Sequence, residues 1–242
     1  MEHGMTANSF KNPIFSGLDT NDRAEAEALA RQLAPEIGGL KVGLEFFYAF
    51  GQEGYRAVAK TGIPIFLDLK LHDIPNTVAG GIRSACQLNP AIINVHASGG
   101  VAMMRAAAEA AKETEGSRPW VIGVTVLTSL DDADLHAMGI SGTAQDQVLR
   151  LANNAQEAGL DGVVCSPMEI EALRAACGPD FKLIVPGIRP AGADIGDQKR
   201  IMTPQDALAR GADILVISRP IIKADNPAAA ARAIAEDLAH AA

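Results

Sequence analysis

Eight short apolar stretches recur along the chain, and a helical stretch follows each of them. The apolar stretches have the usual length of buried strands; they are Ile14–Asp19, Leu40–Glu45, Ile63–Lys70, Ile92–Ala97, Val121–Leu127, Gly162–Ser166, Leu183–Ile188 and Ile214–Ser218. Strands that alternate with helices are parallel and are joined by right-handed crossovers. The pattern therefore predicts an α/β fold with one parallel sheet.

Each intervening stretch carries helix signals. The helices are predicted at Asn21–Ala34, Phe46–Lys60, Val78–Leu88, Gly100–Glu115, Thr143–Ala158, Met168–Cys177, Pro204–Gly211 and Pro227–Ala242. The first begins at an Asn or Asp suited to an N-cap, and Asn76 or Thr77 is expected to cap the third. Gly62, Gly159 and Gly211 stand where a helix stops before the next strand.

A sheet of eight strands can close into a barrel or stay open. An open nucleotide-binding sheet usually carries a Gly-rich fingerprint after its first strand, but Gly17-Leu18-Asp19-Thr20-Asn21 follows here. We therefore predict a single-domain (β/α)8 TIM barrel over residues 1–242, with a disordered or loosely packed N-terminal extension over about 1–12. The length of 242 residues suits one such domain.

Composition narrows the classes of partner. The net charge of −8 disfavours nucleic-acid binding, which needs a basic face. No stretch reaches the roughly 20 apolar residues of a membrane span, and Met1–Lys11 lacks the apolar run of a secretory signal. Three irregularly spaced cysteines indicate reduced thiols. We expect a cytoplasmic protein that binds neither membrane nor nucleic acid.

The end of the third strand carries the strongest chemical signal. Side chains alternate along a strand, so Asp68 and Lys70 share one face above Phe66. Asp73 follows on the loop, and Lys41 stands at the matching position one strand earlier. Catalytic groups of such barrels lie at the carboxyl ends of the strands. A purely structural Asp–Lys ion pair remains an alternative for these residues.

A second group of polar residues follows strands seven and eight. Arg189 and Gln198 lie in the irregular stretch Arg189–Lys199, and Arg219 follows the eighth strand. The planar guanidinium matches phosphate, and phosphate sites of barrels occur after these strands. Exposed loop arginines without a ligand are the alternative.

Taken together, these blocks resemble one known family. The run Asp68-x-Lys70-x-x-Asp73-Ile74-Pro75-Asn76-Thr77 resembles the catalytic signature of orotidine 5′-phosphate decarboxylase. Further similar blocks are Asp19, Lys41-Val42-Gly43, Val124–Ser129, Pro186-Gly187-Ile188-Arg189-Pro190, Gln198 and Arg219-Pro220. The resemblance spans Ile14 to Pro220 in the same order, which makes it specific.

The resemblance implies decarboxylation of orotidine 5′-monophosphate to uridine 5′-monophosphate without metal or cofactor. It implies that Lys70 protonates C6 and that Asp68, Lys41 and Asp73 complete a charged array. It also implies a homodimer in which Asp73 and Thr77 serve the neighbouring subunit. The substrate-binding residues implied are Asp19 and Lys41 at the ribose, Thr128 at the base, Asn76 and Thr77 beside them, and Pro186, Arg189, Gln198, Ser218 and Arg219 at the phosphate.

One position departs from the family pattern. The family often has Gly immediately before the arginine of strand eight, where this chain has Ser218. Serine still offers its backbone amide to phosphate. Its hydroxyl could crowd the site or add a donor, so both outcomes stay open.

The chemistry explains why a lysine is needed. Loss of CO2 leaves an electron pair at C6 with no sink in the ring, and the sequence has no paired-histidine or H-x-E…C-x-x-C metal pattern. A fixed cation about 4 Å away contributes on the order of 4 kcal/mol at an effective dielectric of 20. Asp68 could repel the substrate carboxylate or only position Lys70.

Two rival functions share the barrel. One is a Mg²⁺-dependent sugar-phosphate lyase, such as a 3-keto-gulonate-phosphate decarboxylase or a hexulose-phosphate synthase; Lys41 near its metal position disfavours it. The other is a non-catalytic phosphate-binding barrel, which Lys70 and the aspartates disfavour. Elsewhere, His96 is expected to be structural, and Asp131, Asp132 and Asp134 to form a solvated acidic loop.

Overall fold

The eight predicted strands form one closed parallel barrel in the order of the chain, and the last strand pairs with the first. The computed structural model describes residues 10, 12–190 and 202–241. The strands are β1 (Ile14–Gly17), β2 (Gly39–Val42), β3 (Ile65–Leu71), β4 (Ile92–His96), β5 (Trp120–Val124), β6 (Gly162–Val164), β7 (Lys182–Val185) and β8 (Ile214–Val216). The prediction of a (β/α)8 barrel is confirmed.

Helices surround the barrel. They are α1 (Arg23–Leu33), α2 (Leu44–Ala59), α3 (Pro75–Cys86), α4 (Val101–Lys112), α5 (Asp132–Ala137), α6 (Ala144–Glu157), α7 (Ile170–Cys177), α8 (Pro204–Ala209), α9 (Arg219–Ile222) and α10 (Pro227–Ala241). The eight predicted helices are all present, and Gly62, Gly159 and Gly211 have the positive φ of helix stops. In the described ranges, no helix combines the length and hydropathy that a membrane span requires.

Helix caps were predicted with mixed success. The Asp22 side chain accepts hydrogen bonds from the first amides of α1, as expected. The predicted cap of α3 at Asn76 or Thr77 is wrong, because Pro75 already begins the helix and Ile74 is its N-cap. Proline suits the first helical position since its missing N–H would have no partner there.

The predicted acidic loop contains the short helix α5. The side chain of Asp131 accepts the amide of Asp134, and the side chain of Asp134 accepts the amide of Asp131. These carboxylates therefore close a capping box, which satisfies amides that the first helical turn leaves free.

The core has two layers because strand side chains alternate between the two faces of the sheet. The outer layer packs strands against helices. The inner layer fills the barrel with Phe15, Phe66, Ile92, Trp120, Ile122, Ile184, Ile214 and Val216. Along β3, Phe66 points inward, whereas Leu67, Leu69 and Leu71 pack in the outer layer, as the sequence predicts.

Phe10 covers the amino-terminal end of the barrel. Its ring meets Phe15 and Trp120 edge-on, at centroid distances of 5.1 and 5.0 Å. Asn12 donates to the carbonyl of Glu36 at 3.0 Å. Residues 1–9 and 11 lie outside the described residues, so the N-terminal extension stays a prediction. Phe10 therefore packs on the aromatic side chains at the amino-terminal end of the inner layer.

Candidate active site

A cavity of about 570 Å³ opens at the carboxyl ends of the strands. Nine of the predicted site residues line it: Asp19, Lys41, Asp68, Lys70, Thr128, Pro186, Arg189, Ser218 and Arg219. Phe66, Val124, Val164, Ile184 and Val216 form the apolar base of the cavity. The barrel thus brings the two groups of polar residues to one mouth, over an apolar base.

Four side chains of alternating charge form a continuous row across the first three strands. Asp19 Oδ1 lies 3.5 Å from Lys41 Nζ, and Lys41 Nζ lies 3.3 Å from Asp68 Oδ2. Lys70 Nζ donates to Asp68 Oδ1 at 2.6 Å. Each interior member of this row therefore has an opposite charge on both sides.

Burial makes these ion pairs stronger than surface pairs. The side chains of Asp68 and Lys41 are 10% and 14% exposed. Burial alone would raise the pKa of Asp68, but the charges of Lys41 and Lys70 outweigh it, and the pKa is lowered. Burial alone would likewise lower the pKa of Lys41, but Asp68 and Asp19 raise it. Both groups are ionised at neutral pH.

The backbone of Lys70 departs from regular strand geometry. Its φ of +52° lies in the left-handed region, which residues with a β-carbon rarely adopt. The pairing of β3 with β4 also shifts between Leu67 and Leu71. This irregularity places Lys70 beside Asp68 at the mouth in a way that simple alternation does not describe.

Asn94 on β4 is a polar residue of the site that the sequence argument missed. It is fully buried and lines the cavity. Its Nδ2 donates to Asp68 Oδ1 at 2.7 Å, and its Oδ1 accepts the backbone amide of Lys70 at 2.8 Å. The available signal was an asparagine inside the otherwise apolar stretch Ile92–Val95, where burial requires hydrogen-bond partners.

The predicted phosphate end lies where β7 and β8 end, and β8 is the neighbour of β1 in the barrel. Arg189 is 7% exposed, and its Nη1 donates to the carbonyl of Ile188 at 2.8 Å. Arg219 begins α9 directly after β8. Gln198 lies outside the described residues. Arg189 and Arg219 both line the cavity, and guanidinium groups match the geometry of a phosphate.

Ser218 has a definite contact in the structure. Its Oγ accepts a hydrogen bond from the backbone amide of Gly17 at 3.0 Å. The hydroxyl therefore joins the ends of β8 and β1, two residues before Asp19. Its φ is negative, so the position does not require glycine for its backbone conformation.

Asp73, Asn76 and Thr77 lie outside this cavity. They are exposed, and the Asp73 carboxylate accepts the neighbouring amide of Ile74 at 2.7 Å. The single chain therefore does not bring these three predicted site residues to the row of charges.

His96 and His72 form a pair beside the site. Their ring centroids are 5.5 Å apart, and neither ring lines the cavity. Burial, followed by the charges of His72 and Lys70, lowers the pKa of His96. His96 is thus neutral at pH 7. Among the described residues, no three His, Cys, Asp or Glu side chains are grouped to hold a metal ion.

Comparison with known proteins identifies similar chains. Residues 12–234 match the model of the orotidine 5′-phosphate decarboxylase / HUMPS family. The chain is 52% identical to an orotidine 5′-phosphate decarboxylase of Paramagnetospirillum magneticum over 94% of this chain and 98% of the relative. It is 55% identical to that of Novosphingobium aromaticivorans, over 92% and 97% of the two chains.

A solved structure is similar in both fold and sequence. The crystal structure of orotidine 5′-phosphate decarboxylase from Lactobacillus acidophilus matches with a TM-score of 0.83 and 35% identity. The match covers 94% of this chain and 99% of that one. The similarity therefore extends over nearly the whole chain.

Proposed function

The chain belongs to the orotidine 5′-phosphate decarboxylase / HUMPS family, and we propose that its row of alternating charges drives the decarboxylation by stabilising negative charge at C6. The reaction converts orotidine 5′-monophosphate to uridine 5′-monophosphate and CO2 in pyrimidine biosynthesis. The single observation that carries the mechanism is Lys70 Nζ, held 2.6 Å from Asp68 at the cavity mouth.

The reaction needs a cation and a proton at the same place. The bond between C6 and the carboxylate breaks, CO2 leaves, and the electron pair stays on C6. The Lys70 ammonium stabilises this charge and then transfers one proton to C6, which gives uridine 5′-monophosphate. Solvent returns the proton to Lys70 before the next turnover. Lysine suits both tasks since its charge is compact and its proton is transferable.

The remaining predicted site residues hold the nucleotide. Arg189 and Arg219, with the backbone amide of Ser218 and with Gln198, bind the phosphate, and Pro186 shapes this end of the cavity. Asp19 and Lys41 bind the ribose hydroxyls, and Thr128 contacts the base. Binding energy from the phosphate, remote from C6, holds the ring against the row of charges.

A homodimer would complete the row. Asp73, Asn76 and Thr77 then act in the cavity of the partner subunit, where Asp73 extends the alternation beyond Lys70. Their exposure in the single chain supports this arrangement. Exposed apolar side chains at the beginnings of α2 and α3 also support a dimer: Leu44 is 41%, Tyr48 82% and Ile74 67% exposed. Such side chains are typical of a surface that a second subunit covers.

We also propose that the enzyme works in the cytoplasm. Cys86, Cys165 and Cys177 are free and buried. Free thiols persist in a reducing compartment, which supports this location.

The test of this function is direct. Purified protein is mixed with EDTA and orotidine 5′-monophosphate, and the ultraviolet change that accompanies uridine 5′-monophosphate formation is followed. We expect full turnover in EDTA and none above background for Lys70→Ala. Absence of turnover, together with Mg²⁺-dependent decarboxylation of a 3-keto-gulonate phosphate, would instead support the sugar-phosphate lyase, which Lys41 disfavours.

The dimer is tested by mixing inactive variants. Asp73→Asn and Lys70→Ala damage different parts of a shared site, so a mixed dimer contains one site that has both native residues. We expect the mixture to recover up to a quarter of wild-type activity. Continued inactivity, with exchange of subunits shown independently, would contradict a shared site.

A further inference from the structure

We propose that Asn94 is a positioning residue for the decarboxylation: its buried side-chain amide holds the Asp68 carboxylate with one end and the backbone of Lys70 with the other. The proposal rests on the proposed function of Lys70 and Asp68. It assigns to Asn94 the task of fixing where the proton donor of the reaction stands.

The backbone of Lys70 needs this support. Between the paired residues Leu67 and Leu71 of β3, β4 advances only from Ile93 to Val95, so the strands lose their regular ladder there. The Lys70 amide bonds to Asn94 Oδ1 at 2.8 Å instead of to a strand carbonyl. This contact stabilises a φ of +52°, a conformation that is strained for a residue with a β-carbon.

The Asp68 carboxylate is held at the same time. Its Oδ1 accepts from Asn94 Nδ2 at 2.7 Å and from Lys70 Nζ at 2.6 Å, while Oδ2 lies 3.3 Å from Lys41 Nζ. A buried donor on one oxygen restricts rotation of the carboxylate. Asp68 therefore keeps one oxygen toward each lysine, and the alternation of charge is preserved.

An amide is the group that this position requires. It supplies one donor and one acceptor and carries no charge. A cation here would compete with Lys70 for Asp68, whereas an ionised carboxylate would face Asp68 at the present 2.7 Å contact. Only a neutral group with both functions holds Asp68 and Lys70 without changing the charge of the site.

Asn94→Asp gives a specific test because its effect depends on pH. When the introduced carboxyl group is protonated, it keeps an acceptor for the Lys70 amide and donates its proton to Asp68, as the asparagine amide does. Two adjacent carboxylates disfavour double ionisation, so the pKa of the introduced group is raised. We expect kcat near the wild-type value at low pH and a tenfold or greater fall as pH rises.

Other titratable groups around this position are shared with the wild type. They are Asp68 and Lys70 on β3, Lys41 on β2 and His96 on the same strand, whereas β5 presents the apolar Ile122 at the paired position. A new alkaline limb in the kcat profile of the variant therefore reports the group introduced on β4. Asn153→Asp, on the exposed face of α6, is the matched control and should show the wild-type profile.

Asn94→Leu removes both hydrogen bonds and keeps the number and branching of the side-chain heavy atoms. A misplaced proton donor can cost about 100-fold in rate, so we expect kcat to fall roughly that far at every pH. The Kd of uridine 5′-monophosphate should change less than threefold, since phosphate contacts dominate its binding. That combination separates positioning from unfolding, which would weaken both.

Several outcomes would overturn the proposal. Examples are an Asn94→Asp profile parallel to that of the wild type, or an Asn94→Leu variant with wild-type kcat. If Asn94→Leu does not fold, reversible loss of kcat in one sample of Asn94→Asp still decides the question. Failure of the proposed function is distinguishable, because the wild-type enzyme would then form no uridine 5′-monophosphate at all.

Discussion

The role of Asp68 can be decided by changing its charge without changing its shape. In Asp68→Asn, the remaining side-chain oxygen still accepts from Lys70 and Asn94. In the native chain, the nitrogens of these two residues lie 2.6 and 2.7 Å from Asp68 Oδ1. The negative charge is lost, and an amide nitrogen faces Lys41. We expect this variant to bind substrate more tightly and to react more slowly, because Asp68 repels the carboxylate that leaves as CO2.

The magnitude follows from burial and distance. Asp68 is 7% exposed when its backbone is included, so solvent screens its charge only partly. A substrate carboxylate about 4 Å away would be repelled by roughly 4 kcal/mol at an effective dielectric of 20. That energy corresponds to about three powers of ten in rate. We therefore expect kcat to fall by about 10²–10³ and the Kd of orotidine 5′-monophosphate to fall by a similar factor.

The assay compares substrate with product. Rapid mixing gives the Kd of orotidine 5′-monophosphate, single turnovers give the rate of the chemical step, and titration gives the Kd of uridine 5′-monophosphate. The product lacks the carboxylate, so its affinity should change little and reports general damage to the site. Equal weakening of substrate and product, together with slower chemistry, would refute repulsion and leave Asp68 as a positioning residue.

Further predictions concern contacts elsewhere in the barrel. Ser218→Gly removes the hydrogen bond to Gly17, so we expect about 1 kcal/mol less stability, a lower Tm and nearly unchanged KM; an unchanged Tm with a tenfold rise in KM would instead make the hydroxyl a phosphate ligand. Arg174→Lys should cost about 2–4 kcal/mol in urea unfolding, because the guanidinium donates to four backbone carbonyls of the described chain that one ammonium cannot reach together, and a cost below 1 kcal/mol would contradict this. Gly162→Ala should cost about 3 kcal/mol or more, since a β-carbon would stand 2.1 Å from a backbone oxygen of β7, whereas Gly80→Ala meets no atom within 4 Å and should stabilise α3 by about 0.5–1 kcal/mol; similar unfolding free energies for the two variants would refute the steric argument.

The sequence predicts the barrel well because its signals repeat. Each strand is short and largely buried, and a helix follows each strand. An error in predicting one strand or helix therefore does not change the pattern. The predicted stretches often extend past the strand that forms. For example, β1 ends at Gly17, whereas the stretch predicted for it ends at Asp19. Those extra residues form the rim of the cavity, where polar groups are held by one another rather than by the strand ladder.

Nine residues that line the cavity were predictable from the sequence, but their geometry was not. Asp19, Lys41, Asp68 and Lys70 converge because strand ends meet at one mouth. The positive φ of Lys70 depends on a register shift with β4, and alternation within one strand cannot reveal it. Asn94 was missed for the same reason, since its two partners belong to the neighbouring strand.

The remaining errors are local. The capping prediction at Asn76 and Thr77 failed because Pro75 begins α3 earlier than the polar residues suggest. The short helix α5 was not predicted, since its first turn consists mainly of aspartates that resemble a loop. The reciprocal Asp131–Asp134 cap and the buried side chain of Leu135 stabilise it.

The packed interior of the barrel has a kinetic consequence. Phe66 and the other inner side chains close the cavity from below, and Phe10 covers the far end among the residues that the structure describes. Within the described ranges, the cavity is closed from below and opens at the carboxyl ends of the strands, so substrate enters and product leaves by the same route. Uridine 5′-monophosphate must leave the cavity before the next orotidine 5′-monophosphate binds. The product should therefore inhibit competitively, by raising KM at constant kcat.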